Sequence, residues 1–168
     1  MKHRIHLMLL RVFGALPRRV RRILVRLGSP KYTVGAICIV HREDGRILLV
    51  KQSYGTRWGT PGGLAKRHEF PQDAAVRETK EEVNLRIVLV SEAVVVVEPI
   101  PHRVDVVYLA KAAQPEFLQD VRPSSPEIEK AEWFNLSELP EMQVETVAAL
   151  LALSRSGVLD LSATQLLE

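Results

Sequence analysis

The nine residues GTRWGTPGG, 55–63, leave the chain few options. Four glycines and a proline give neither helix nor strand enough support, so the segment reads as a loop running into the next element. Upstream, YTVGAICIVH from Tyr32 is β-branched and apolar, REDG at 42–45 supplies a turn, and RILLVK resumes the pattern, which predicts a β-hairpin. Downstream, 71–83 predicts a helix with Pro71 in its first turn and Val76, Thr79 and Val83 on an apolar stripe. The loop is therefore a joint between sheet and helix.

Beyond Asn84, RIVLVSEAVVVVEP and RVDVVYLAK read as strands, PEFLQDVRPSSPE as a polar loop and AEWFNL as a short strand. A last helix is expected over 140–154, with Val144, Val147, Ala148 and Leu151 facing inward. Strands and helices mix without a regular βαβ alternation. That predicts an α+β fold or layered mixed sheet rather than a doubly wound one.

With 168 residues, 46% of them hydrophobic and 26% charged, the chain fits one domain with appendages. No apolar run approaches the roughly 18–20 residues that span a bilayer. The lone cysteine, Cys38, lies in AICIV and reads as a buried core thiol; cytoplasmic residence is the default expectation.

Charge is unevenly spread. Lys2, Arg4, Arg11, Arg18, Arg19, Arg21, Arg22 and Arg26 fall before Gly28 with no acidic residue among them, which leaves the remainder mildly acidic. Apolar residues at Ile5, Met8, Leu9, Val12, Phe13 and Leu16 predict an amphipathic helix. A second should start at Pro17, with Val20, Ile23, Leu24 and Leu27 along one side and Gly28 at its C-terminal cap. Gly-Ser-Pro at 28–30 marks a boundary. The expected organisation is a basic helical extension (1–29), a main domain (30–156) and a C-terminal tail (157–168). The extension could pack its stripe on the domain or in a homodimer, or residues 1–28 could lie on an anionic membrane surface, making the protein peripheral to the membrane; tracking RNA phosphates is a weaker alternative.

The chemistry concentrates in RETKEEVN, 77–84, which sets Glu78, Glu81 and Glu82 at i, i+3 and i+4. Like charges at that spacing repel by roughly 0.2–0.5 kcal/mol per pair on an exposed helix, so arginines and water, or a divalent cation, must compensate. Glu69 stands just upstream, and carboxylates this dense suit Mg²⁺ or Mn²⁺ with open positions for a diphosphate.

Gly63, Glu69, Arg77, Glu78, Glu81, Glu82 and Leu85 also fall in the register of a known signature: the stretch resembles that of the Nudix hydrolases, in their mutator-type and ADP-ribose pyrophosphatase-like forms. The resemblance covers about 32–154 and implies a mixed sheet between helices. It further implies metal-dependent hydrolysis of a nucleoside diphosphate linked to another moiety, an ADP-ribose-like nucleotide sugar or a nucleoside triphosphate. Position by position, it implies Glu81 and Glu82 as main metal ligands, Glu78 as a ligand or the residue activating water, and Glu69 and Arg77 in support. Glu127 is the candidate extra ligand, with Glu98 and Glu129 as rivals. Gly62, Gly63, Glu69 and Trp58 are candidates for substrate binding. Thr79 and Asn84 depart from the signature, Asn84 replacing a helix-capping glycine. His68 and Lys66 depart from common glycine and glutamate. A nucleotide-sensing module without turnover is the alternative; its usual mark, a lost glutamate, is not seen here.

Overall fold

The computed structural model describes residues 2–161. It divides into two compact units between Tyr32 and Thr33. The first holds α1 (Lys2–Ala15) and α2 (Arg18–Gly28), neither of which buries a residue. Gly28 ends α2 inside the helix rather than capping it, because extended Ser29 takes the cap position and its N–H donates to the Val25 carbonyl over 2.9 Å. No helix among the described residues is long and apolar enough to cross a membrane.

Among its described residues the second unit contains eight strands: β1 (Thr33–Val40), β2 (Arg46–Gln52), β3 (Trp58–Gly59), β4 (Gly62–Leu64), β5 (Ile87–Leu89), β6 (Val94–Glu98), β7 (Arg103–Ala112) and β8 (Ile128–Asn135). They form one sheet in the order β4-β1-β7-β5, with β6 also on β7, and a second in the order β3-β2-β8. The β1–β7 pair is parallel, so the first sheet is mixed. Helices α3 (Pro71–Val83) and α4 (Val144–Arg155) complete it.

Period-two alternation sets the layering. Ala36, Cys38 and Val40 of β1 join Leu48, Val50 and Ala110 in a core with α3 residues Ala74, Ala75 and Val83. Ile37 and Ile39 point the other way and join Ile47, Leu49, Val107 and Leu109 against α4 residues Ala149, Leu150 and Leu153. Each fully buried Leu, Ile or Val contributes about 1.5–3 kcal/mol, so both faces of β1 are committed to packing. Cys38 is fully buried, and burial pushes its thiol pKa up to about 12 despite a hydrogen bond with Thr79.

Five expectations need correction. The 42–45 turn exists, with Gly45 N–H donating to the Arg42 carbonyl, yet β1 and β2 do not form a hairpin ladder. Both edges of β1 are taken by β4 and β7, so β2 diverges into the other sheet after a single bridge between His41 and Ile47. The 55–63 segment is not wholly irregular, since β3 anchors it to β2 and β4 to β1. The run after Asn84 is two strands, β5 and β6, both laid along β7, and the polar loop contains a 3₁₀ helix over Pro115–Asp120. In α4 the buried face is Thr146, Ala149, Leu150 and Leu153, while Val144 is exposed; the helix is rotated from the expected stripe because its real partners are Val107 and Leu109. The described part of the tail also packs, with Leu159 and Leu161 against the α4-side core; 162–168 lie outside the described residues.

Candidate active site

Helix α3 carries the acidic residues, and its ends explain its position. Pro71 occupies the first turn after extended Phe70, where a missing N–H costs nothing. At the other end Asn84 adopts φ 57° and ψ 19°, the left-handed cap expected of a glycine substitute, and its N–H donates to the Lys80 carbonyl. Thr79 is fully buried and its hydroxyl donates to the Ala75 carbonyl over 2.8 Å, which removes the penalty for a hydroxyl at an aliphatic position.

Strand β4 packs against the second half of this helix, where Arg77, Glu78 and Glu82 lie. A Cβ on Gly62 would lie 2.4 Å from the Ala36 carbonyl oxygen, and one on Gly63 would lie 2.6 Å from the Glu78 carboxyl carbon. Only glycine permits this approach, and it lets the Gly62 N–H reach Oε2 of Glu82 at 3.1 Å.

Arg77 holds the rest together. Its Nε and Nη2 donate to the two oxygens of Glu69 at 2.7 and 2.9 Å, and Nη1 donates to Glu78 at 2.6 Å and Glu81 at 3.1 Å. Glu69 also accepts the Lys66 backbone N–H at 2.7 Å. The Arg77 hydrogen bond first, and this N–H second, hold Glu69 down at a pKa of about 2. The surrounding carboxylates push the Arg77 pKa up, chiefly through Glu69.

Glu82 behaves in the opposite sense. It is 6% exposed, and burial raises its pKa to about 8; the Gly62 N–H opposes the rise, while the charges of Glu78, Glu127 and Glu81 add to it. Glu127 is thus the late-loop acid whose charge acts on Glu82. Of its rivals, Glu129 lies 3.9 Å from Lys51, and Glu98 stands opposite Arg103 in the β6–β7 ladder.

No group of three or more His, Cys, Asp or Glu side chains among the described residues is already drawn into metal-binding geometry. The guanidinium of Arg77 occupies the space between Glu78 and Glu81. Still, among the described residues the cations paired with Glu69, Glu78 and Glu81 are Arg77 and the Lys66 ammonium, 3.8 Å from Glu81, while Glu82 is held by the Gly62 N–H. A buried carboxylate with surplus negative charge around it is the environment that a hard cation would relieve, so the donor set fits magnesium or manganese.

Beside Gly62 opens a polar cleft of about 380 Å³, lined by Ile37, Gln52, Tyr54, Thr60, Gly62, Arg103, Gln143, Glu145 and Thr146. Gln143 Nε2 donates to Gln52 Oε1 at 2.8 Å, leaving the other amide atoms for a ligand. Trp58 does not line it; its ring meets Phe134 edge-on at 4.8 Å in the α4-side core, where an aromatic gains more by burial. Sequence reasoning also missed Arg103 and Asp105. Arg103 Nε donates to both oxygens of Asp105 at 2.9 and 2.7 Å, and Asp105 is 2% exposed. A signal was present, since RVD places an acid in phase with the inward-facing Val107 and Leu109.

Residues 31–153 match the family model described as NUDIX domain. The chain is 34% identical to the m7GpppN-mRNA hydrolase dcap-2 of Caenorhabditis elegans over 149 residues, 84% of this chain and 18% of that protein. A MutT NUDIX hydrolase from Burkholderia pseudomallei superposes with TM-score 0.59 at 30% identity, covering 73% of this chain and 98% of that one. An ADP-ribose pyrophosphatase from Streptococcus suis gives TM-score 0.60 at 26% identity over 75% of this chain and 92% of that one. The chain spans 18%, 38% and 39% of the length of three curated relatives it matches.

Proposed function

Because the chain belongs to the NUDIX family, we propose that it hydrolyses the diphosphate bond of a nucleoside diphosphate linked to another moiety. The observation that carries this reading is Glu82, a buried carboxylate among the charges of Glu78, Glu81 and Glu127, tethered to the N–H of Gly62, which itself lines the polar cleft. Family members generally use divalent metal, and in this reading Glu78, Glu81, Glu82 and Glu127 would hold Mg²⁺, with Mn²⁺ as substitute. Bound there, the ion would neutralise charge on the diphosphate and acidify a water molecule.

The chain's own residues supply the rest. Arg77 fixes Glu69, Glu78 and Glu81 in one arrangement, sparing the reaction the cost of ordering them. Glu78, packed beneath Gly63, is assigned the proton of the attacking water. The Gln52–Gln143 pair, Thr60 and Tyr54 offer hydrogen bonds to a nucleoside, and Arg103 offers a charge for a second phosphate. ADP-ribose-like nucleotide sugars and nucleoside triphosphates both suit this lining.

A screen of Mg²⁺-dependent hydrolysis over nucleotide sugars, dinucleoside polyphosphates and triphosphates, read as the nucleotide products separated by chromatography, tests the reading, with Glu82→Gln as control. Turnover abolished by Glu82→Gln is expected. Nucleotide binding with no turnover on any substrate would make the chain a sensing module instead.

A further inference from the structure

Away from the acidic site, α1 and α2 border an open, largely apolar depression of about 440 Å³ lined by Phe13, Arg18, Arg21, Arg22, Val25 and Arg26. Arg18, Arg21, Arg22 and Arg26 share this side of α2, and residues 1–28 contain no acidic residue to balance them. Arg18, Arg21 and Arg22 repel one another at i, i+3 and i+4, as do Arg22 and Arg26. Moreover, Arg21 Nε is buried without any hydrogen-bond partner. A buried unpaired donor in a cluster of like charges is stabilised only when an anion enters.

The opposite face of α2 says what carries that anion. Val20, Ile23, Leu24 and Leu27 form an apolar stripe there, with Ile23 57% and Leu27 77% exposed. A nucleic acid would satisfy the arginines and leave the stripe in water. A lipid surface takes both, since a helix lying in the plane of the membrane sinks its apolar side toward the acyl chains and keeps its basic side among the phosphates. We propose that residues 13–27 form a binding surface for anionic phospholipid, with headgroup phosphates met by Arg18, Arg21, Arg22 and Arg26. The hydrolase reading is not needed for this.

Sedimentation of the full chain with vesicles tests it, using phosphatidylcholine alone and an equal mixture with phosphatidylglycerol. Binding to the mixed vesicles should be at least roughly tenfold stronger. The double variant Arg21→Gln/Arg22→Gln should lose it, and Arg21→Lys/Arg22→Lys should keep most of it. Ile23→Ser/Leu27→Ser should also lose it although every charge remains. Circular dichroism on each variant separates lost binding from lost helix. Equal binding to neutral vesicles, indifference of either loss-of-binding variant, or tighter binding to single-stranded RNA than to the anionic vesicles overturns the proposal.

Discussion

Gly62 and Glu82, twenty residues apart, are joined by one hydrogen bond from backbone N–H to carboxylate that ties the glycine strand to the acidic helix. That bond is too weak to offset the burial of Glu82, whose pKa stands at about 8 against an ordinary 4.5. A carboxyl raised in the fold favours folding in its protonated form. Its contribution is therefore full below pH 4.5 and lost as the pH rises toward 8, an effect on the order of a few kcal/mol. In EDTA, urea midpoints should fall over that window, and Glu82→Gln should flatten the fall. Added Mg²⁺ should restore wild-type stability at pH 8 and do little for Glu82→Gln; identical pH profiles for the two proteins would remove Glu82 from the argument.

Gly63 tests the geometry without touching a carboxylate. Its missing Cβ leaves room for the Glu78 side chain, which an alanine would meet at 2.6 Å. Gly63→Ala should displace Glu78 and lower kcat roughly a hundredfold, the scale of a misplacement of about 1 Å. Stability should fall much less, because Glu78 can swing toward solvent. A wild-type kcat would mean that Glu78 position does not matter to the reaction.

Arg77→Lys keeps a positive charge and loses the fork that bonds Glu69 through two nitrogens. Glu69 should then titrate well above its present value of about 2 in a carboxyl NMR titration. Its depressed pKa means that the pairing contributes above about pH 4.5 and is lost as pH falls toward 2, so the variant should differ least from wild type at the acid end. Activity should drop about tenfold or more.

What was legible in the chain was local. Helix α3, its Pro71 start, its Asn84 cap and the Arg77–Glu78–Glu81 spacing follow from residues within one or two turns of each other. The Gly63 requirement was legible as well, because glycine beside a fixed glutamate spacing has few other uses. What failed depended on distant partners. β1 left its apparent hairpin because β7, some 70 residues on, occupies its edge in parallel register. The Arg103–Asp105 pair sits where it does because Gly35, opposite Asp105 across the β1–β7 ladder, has no side chain; a Cβ would lie 2.0 Å from Asp105 Oδ1. Nothing near Asp105 in the chain announces that space.

His68 adopts φ 68°, a conformation that suits glycine, in the turn before Glu69. A side chain there costs about 1–2 kcal/mol, partly returned by the smaller entropy loss of a non-glycine residue. His68→Gly should therefore stabilise the protein by about 0.5–1 kcal/mol in urea unfolding. Destabilisation would mean that the imidazole makes a contact that outweighs the strain.

Arg103 offers the sharpest separation of structure from function. Its Nε is spent on the buried Asp105, while its terminal nitrogens make no hydrogen bond among the described residues and the side chain lines the cleft beside Gly62. Arg103→Gln leaves a buried carboxylate uncompensated and should cost about 2–4 kcal/mol, less than a fully buried pair because the guanidinium is 30% exposed. Adding Asp105→Asn removes the orphaned charge and should recover most of that stability. Substrate recognition should not recover with it: both variants should raise KM roughly tenfold or more with kcat nearly kept, the pattern of lost ground-state binding. A double variant restored in KM as well as in stability would reduce Arg103 to a structural partner of Asp105.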